Sequence, residues 1–246
     1  MDKGVGFNQN IRLKWMEAVA GHRIEGHSPE ETRKSLDRIL AETLHNAEGR
    51  RKSIDVLMRI WFHSERIAPA LYEEALTRFA QSPDAETHIW LHYGLTLLAY
   101  PYFRDVASIV GRLVHRGERV SIALVRKFVL AERGNMAAVA DCVSRVLFAL
   151  CDWGLLERVD GRRSGYIARA YPFTTEDISL QTWLLACALK AHPGESVPLL
   201  DLLRLPELFS FRFSIGAMAL RQSPYLRIER QGGEWDAVWF VDTLHP

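Results

Sequence analysis

Residues 121–169 read SIALVRKFVL AERGNMAAVA DCVSRVLFAL CDWGLLERVD GRRSGYIAR. Ser121 to Ala131 has the spacing of one helix, and Met136 to Trp153 that of a longer one. Between them, Glu132-Arg133-Gly134-Asn135 is a turn in which glycine and asparagine tolerate positive φ. Gly154 stands where a helix ends on glycine. Leu155–Val159 and Tyr166–Arg169 then flank the segment Asp160-Gly161-Arg162-Arg163-Ser164-Gly165, the pattern of a β-hairpin with a basic tip. Helix, turn, helix and hairpin in this order predict a winged helix-turn-helix over 120–172.

In such a module the second helix enters the major groove by its N-terminal residues, and wing cations reach phosphates or the minor groove. Val139, Val143, Val146, Leu147 and Leu150 form the stripe that holds this helix to its core, leaving Asn135, Ser144 and Arg145 on the outer side. Arg126 and Lys127 on the preceding helix, Arg133 in the turn, and Arg158, Arg162 and Arg163 on the wing complete the candidate DNA contacts. The whole chain carries a formal charge of only +1, but residues 121–170 hold eight basic against five acidic residues and residues 171–246 six against nine. A basic middle and an acidic end place any anion-binding face on the central module, and so few cations predict modest, strongly salt-dependent binding.

Upstream, Ser28-Pro29-Glu30-Glu31 combines an N-cap, a proline for the first helical position and a capping-box glutamate. The helix it opens carries Leu36, Ile39, Leu40 and Leu44 on one face and is expected to end near Glu48-Gly49. Further helices are expected over about 52–62, 68–80, from Ser82-Pro83 to Tyr100, and 103–115, with Pro101 as the break. Residues 1–119 therefore read as a helical bundle. Arg33, Lys34 and Arg38, together with Arg50, Arg51 and Lys52, form a second candidate phosphate-facing patch; a solvated helix face is the alternative.

Downstream, helices are expected over 176–191, 199–205 and 207–222, followed by a hairpin of Tyr225–Arg230 and Trp235–Val241 around Gln231-Gly232-Gly233-Glu234. Phe209, Phe211 and Phe213 alternate as in a strand, but Ile215, Met218 and Leu220 continue an apolar helical face, which assigns them to the start of the last helix. Residues 173–246 read as a second, more acidic winged-helix-like module. The fold class expected is mainly α: a bundle and two such modules in tandem.

Hydrophobic residues make up 48% of the chain, enough for a core without disulfide or metal support. Cys142, Cys151 and Cys187 form no CxxC pair and lie in apolar helical patterns, as small buried hydrophobes do. MDKGVGFNQNIRLKW lacks the order of a signal peptide, and the apolar stretch 89–100 is short of the about 20 residues a membrane span needs, so cytoplasmic residence without membrane association is expected. His88 and His92 lie four apart without the HExxH pattern or a suggested third ligand, and read as structural. Gly4-Val5-Gly6 precedes no strand or helix that cradles phosphate. With neither a GxSxG nor a Walker loop, the expectation is a non-enzymatic protein without metal or cofactor.

Three elements carry a family resemblance: Ile89-Trp90-Leu91, Tyr100-Pro101-Tyr102-Phe103-Arg104-Asp105, and Arg145-Val146-Leu147-Phe148-Ala149-Leu150 running to Gly154-Leu155-Leu156. Their order from Ser28 to Leu156 resembles the BrxA family of bacteriophage exclusion (BREX) defence systems. The resemblance covers about half the chain and implies a helical protein that binds double-stranded DNA beside other defence proteins. It does not extend to about 174–241. Tandem winged helices with an acidic second module also look like MukE-type condensin subunits, which grip a kleisin chain. A transcription regulator with a helical ligand-sensing domain is a third reading, and the exposed hairpin edges are compatible with a homo-oligomer.

Overall fold

The computed structural model describes residues 6–133, 137–161, 164–231 and 235–242, and the side chains of 133–141 are outside that description. Six helices come first: α1 (Leu13–Ile24), α2 (Pro29–Ala41), α3 (Ala47–Phe62), α4 (Pro69–Gln81), α5 (Ala85–Ala99) and α6 (Pro101–His115). The expected capping box opens α2, with Glu31 N donating to Ser28 Oγ and the Glu31 carboxylate accepting from Ser28 N. Pro101 separates α5 from α6 as expected, taking the first helical position of the latter.

Two boundaries differ from the sequence reading. Helix α1 has no counterpart there: Arg12 at its N-cap makes no side-chain cap, although Trp15, Met16, Val19 and Ala20 recur at helical spacing and are buried. Helix α2 ends at Ala41 instead of near Glu48-Gly49. Asn46 accepts from Glu48 N and Gly49 N to start α3, while the Arg50 guanidinium donates to the carbonyls of Leu44 and His45 in the intervening turn.

The bundle is tied by a buried polar relay. Trp61 Nε1 donates to His92 Nδ1 (3.1 Å), so His92 offers its Nε2 hydrogen to Glu17 Oε1 (3.0 Å) and is neutral. His88 faces two acceptors, Glu17 Oε2 (2.9 Å) and the Ser82 carbonyl (2.7 Å), which requires a hydrogen on both ring nitrogens and hence a cation. Burial raises the Glu17 carboxyl, but the two histidine hydrogen bonds outweigh it and bring it down to about 2. Burial opposes charging of both imidazoles; the Glu17 and Ser82 bonds reverse this at His88, which is raised, while fully enclosed His92 stays lowered. His88 and His92 thus clamp α5 to α1 through one carboxylate.

Next come α7 (Ile122–Arg133), α8 (Ala137–Asp152), β1 (Leu156–Val159) and β2 (Gly165–Ala168). β1 and β2 pair antiparallel, and Val120 bridges to Tyr166 on the free edge of β2, so the order is Val120–β2–β1. Gly154 has φ +78°, the left-handed helix end expected of it. The last segment contains α9 (Ile178–Ala191), β3 (Ser196–Pro198), α10 (Leu199–Leu202), α11 (Ala217–Arg221), β4 (Leu226–Gln231) and β5 (Trp235–Phe240), with sheet order β3–β5–β4. Residues 101–168 and 178–240 therefore repeat one connectivity: helix, short strand, two helices, then a hairpin whose second strand pairs centrally.

The expected helix over 207–222 is not one element. Pro206–Leu208 is a 3₁₀ turn, Phe211 bridges in parallel to Phe173, and only Ala217–Arg221 is α-helical. Phe209, Phe211 and Phe213 lie on this non-helical stretch; Trp90 meets the rings of Phe211 (4.8 Å) and Phe213 (5.8 Å) edge-on. Burial against the tryptophan decides the conformation that periodicity left ambiguous. One apolar cluster runs from Phe7 to Val238 through all these segments, and α9 packs on α5 while the Pro206 turn packs on α6. The close approach at α6 requires Gly111, since a Cβ there would lie 1.8 Å from the Pro206 carbonyl oxygen. Cys142 and Cys187 are buried and Cys151 half-buried, and these three form no disulfide. Among the described residues no helix is long and apolar enough to cross a membrane.

Candidate nucleic-acid interface

Helix α7 starts at Ser121, whose Oγ accepts from Leu124 N (3.2 Å). Val125 and Val129 turn into the core, and Arg126 and Lys127 are exposed. On α8 the expected stripe of Val143, Val146, Leu147 and Leu150 is fully buried; Val139 and the expected contacts Arg133 and Asn135 fall outside the described side chains.

The outer side of α8 carries a feature absent from the sequence reading. Residues 10–13 lie across its C-terminal half as a strap. Arg145, expected to be a base or phosphate donor, is exposed but donates to Asn10 Oδ1 (3.1 Å). Arg12 sits over the Phe148 ring at 5.9 Å, Asp152 accepts from Leu13 N (2.7 Å), and Trp153 Nε1 donates to the Ile11 carbonyl (3.1 Å). Ser144 is half-buried. The C-terminal half of α8 is thereby committed to internal contacts. Only an N-terminal cap motif would have signalled the strap, and Arg12 supplies none.

On the hairpin, Arg158 is exposed and pairs with Asp160 at 3.0 Å, while Arg162 and Arg163 lie outside the described residues. Gly161 takes φ +106° at the turn, and a Cβ on Gly165 would stand 2.6 Å from the Val120 carbonyl, so the strand bearing Gly165 runs close beside Val120. Ser121, Ile122, Arg158, Ser164, Gly165 and Tyr166 enclose a shallow cleft of about 340 Å³ at the start of α7. Arg158 thus lines the same cleft as Ser121 and Ile122 at the start of a twelve-residue helix.

The α2–α3 patch is largely self-neutralised. Arg33 pairs with Asp55 (2.6 Å), Arg50 with Asp37 (2.7 Å), Arg51 with Asp55 (3.5 Å) and Lys52 with Glu48 (2.7 Å). Lys34 and Arg38 are exposed on α2. Four of the six cations therefore meet carboxylates across or along the two helices, which weakens the field this surface presents to phosphate.

Comparison of the chain with protein-family models, with curated proteins and with solved structures finds no match.

Proposed function

We propose that this chain is a non-enzymatic, double-stranded-DNA-binding protein acting in the cytoplasm, and that residues 101–168 are a winged helix with α8 as its groove-reading helix. The observation that carries the reading is the connectivity α6–Val120–α7–α8–β1–β2 with Val120 on the edge of β2, the strand order of a winged helix. Arg126 and Lys127 on α7 and Arg158 on the wing support it as phosphate contacts. In such modules the N-terminal part of the second helix is what meets base edges. The resemblance of its sequence to the BrxA family is what suggests a role beside other components of a bacterial anti-phage defence system.

The test is fluorescence anisotropy with a labelled random duplex at two salt concentrations. Saturable binding that weakens steeply with salt, and that Arg162→Ala/Arg163→Ala weakens further, supports the proposal. No binding at low salt overturns it.

One observation favours the MukE-like reading as second choice. The tandem repeat of one connectivity ends in a module that exposes Leu200 (72%) and Trp235 (43%) beside Asp201 and Asp236, apolar side chains fit for a protein partner. Dimerisation with DNA binding absent until a partner chain is added would select it.

A further inference from the structure

The end of α1 gathers three metal-ligating side chains. His22 lies in its last turn, Glu25 follows directly, and Gly26 at φ +77° reverses the chain. The His27 amide then closes back on the His22 carbonyl (3.0 Å), the longer hydrogen bond of a Schellman helix end. That closure stacks the two imidazoles, with ring centroids 4.8 Å apart and planes within 27°. Their Nδ1 atoms face each other at 2.8 Å, a contact in which one ring must donate and the other accept. Glu25 Oε2 lies 3.9 Å from His22 Nδ1 and 3.7 Å from His27 Nε2. One ligand atom from each of the three residues falls within 4.8 Å of the other two, and among the described residues no other group of three or more histidines, cysteines or carboxylates does so.

We propose that His22, Glu25 and His27 bind a divalent transition-metal ion, with zinc the ion best suited to two imidazoles and one carboxylate. Zinc–nitrogen bonds of about 2.0–2.1 Å at a tetrahedral angle hold two nitrogens about 3.3 Å apart, so the imidazoles need to part by about half an ångström. The donor ring moves its proton from Nδ1 to Nε2, and both Nδ1 lone pairs then point at the ion. The side chains are 17% (His22), 41% (His27) and 64% (Glu25) exposed, so an ion enters from solvent without unfolding anything. The fourth position stays open to water, as in sites that bind a further ligand. The backbone closure through Gly26 holds the two rings together before any ion arrives, which lowers the ordering cost of binding.

The test uses the full chain carrying no histidine tag, stripped with chelator and titrated with zinc chloride by calorimetry. Cobalt(II) serves as an optical probe. The result expected is one ion per chain at neutral pH and visible d–d bands with cobalt. Binding weakens by about tenfold or more in His27→Gln, which keeps hydrogen-bonding groups but removes the imidazole, and disappears in His22→Ala/His27→Ala. Absence of saturable uptake overturns the proposal. So does uptake of unchanged stoichiometry and affinity in both variants, which would place the ion on other histidines or cysteines. Thermal melting of the metal-free variants, expected within a few degrees of the parent, separates loss of ligands from loss of fold.

Discussion

Residues 101–168 and 178–240 share one connectivity but differ in the helix that precedes the hairpin: α8 runs for 16 residues and α11 for five. In the first region that helix presses Val143, Val146, Leu147 and Leu150 inward and follows a helix bearing exposed Arg126 and Lys127. In the second, α11 leaves Met218 76% exposed, Arg227 pairs with Glu229 along β4 (3.2 Å), and Arg221 of α11 pairs with Asp236 of β5 at 2.5 Å. Both regions anchor through their first helix, α6 against the Pro206 turn and α9 against α5. A shared sheet order thus leaves the outward chemistry open; helix length and surface charge decide which copy can meet a polyanion.

The comparison breaks most severely at the anchors. Trp183 of α9 is fully buried, donates to the Leu71 carbonyl (2.8 Å), and has Gly94 of α5 against its ring. Trp183→Ala should cost about 3–5 kcal/mol in chemical denaturation; a loss below about 1 kcal/mol would mean that the second region is not held through α9. Gly111→Ala probes the other anchor. Forcing a Cβ against the Pro206 carbonyl should cost about 1–3 kcal/mol, read from the shift in denaturation midpoint.

Surface changes sharpen the contrast between the two copies. Arg126→Ala/Lys127→Ala should weaken duplex binding by about tenfold and lower the slope of log affinity against log salt by about 2, at about 0.9 per phosphate contact. The matched pair Arg221→Ala/Arg227→Ala in the second region should change affinity less than about twofold. Equal effects from both pairs would show that the second copy also faces DNA.

The smallest effect on binding is expected from Glu17→Gln, in the bundle outside both copies, where stability should change and affinity should not. The Glu17 carboxyl falls from 4.5 to about 2 on folding, so its stabilisation is present above pH 4.5 and is lost as pH falls toward 2. His88 is raised above 6.5; its contribution is complete below 6.5 and is lost as pH rises through the folded value. Lowered, neutral His92 works the other way, costing stability as pH falls below 6.5. The melting-temperature gap between parent and variant should therefore be widest between about pH 4.5 and 6.5 and shrink on either side. A pH-independent gap would remove the relay from the account.

What the sequence determined by itself is local. The Ser28 capping box, the Pro101 break, the Gly154 helix end and both hairpins are set by side chains acting within a few residues, and these were legible. So was the buried stripe of α8, because 3.6-residue periodicity records which face is inside. The tertiary structure decided the rest. Alternation at Phe209, Phe211 and Phe213 allowed strand or helix until Trp90 packed against two of the rings. Arg145 and the α2–α3 cations carried charge in the sequence, but whether that charge faces a ligand depends on Asn10, Asp37 and Asp55, brought alongside from elsewhere in the chain. His22 and His27 are five apart and match no motif; the left-handed turn at Gly26 is what lays one ring on the other. Short-range signals survive reading in one dimension because their partners are neighbours in the chain. Contacts between distant segments do not, because their energy depends on packing that no single segment specifies.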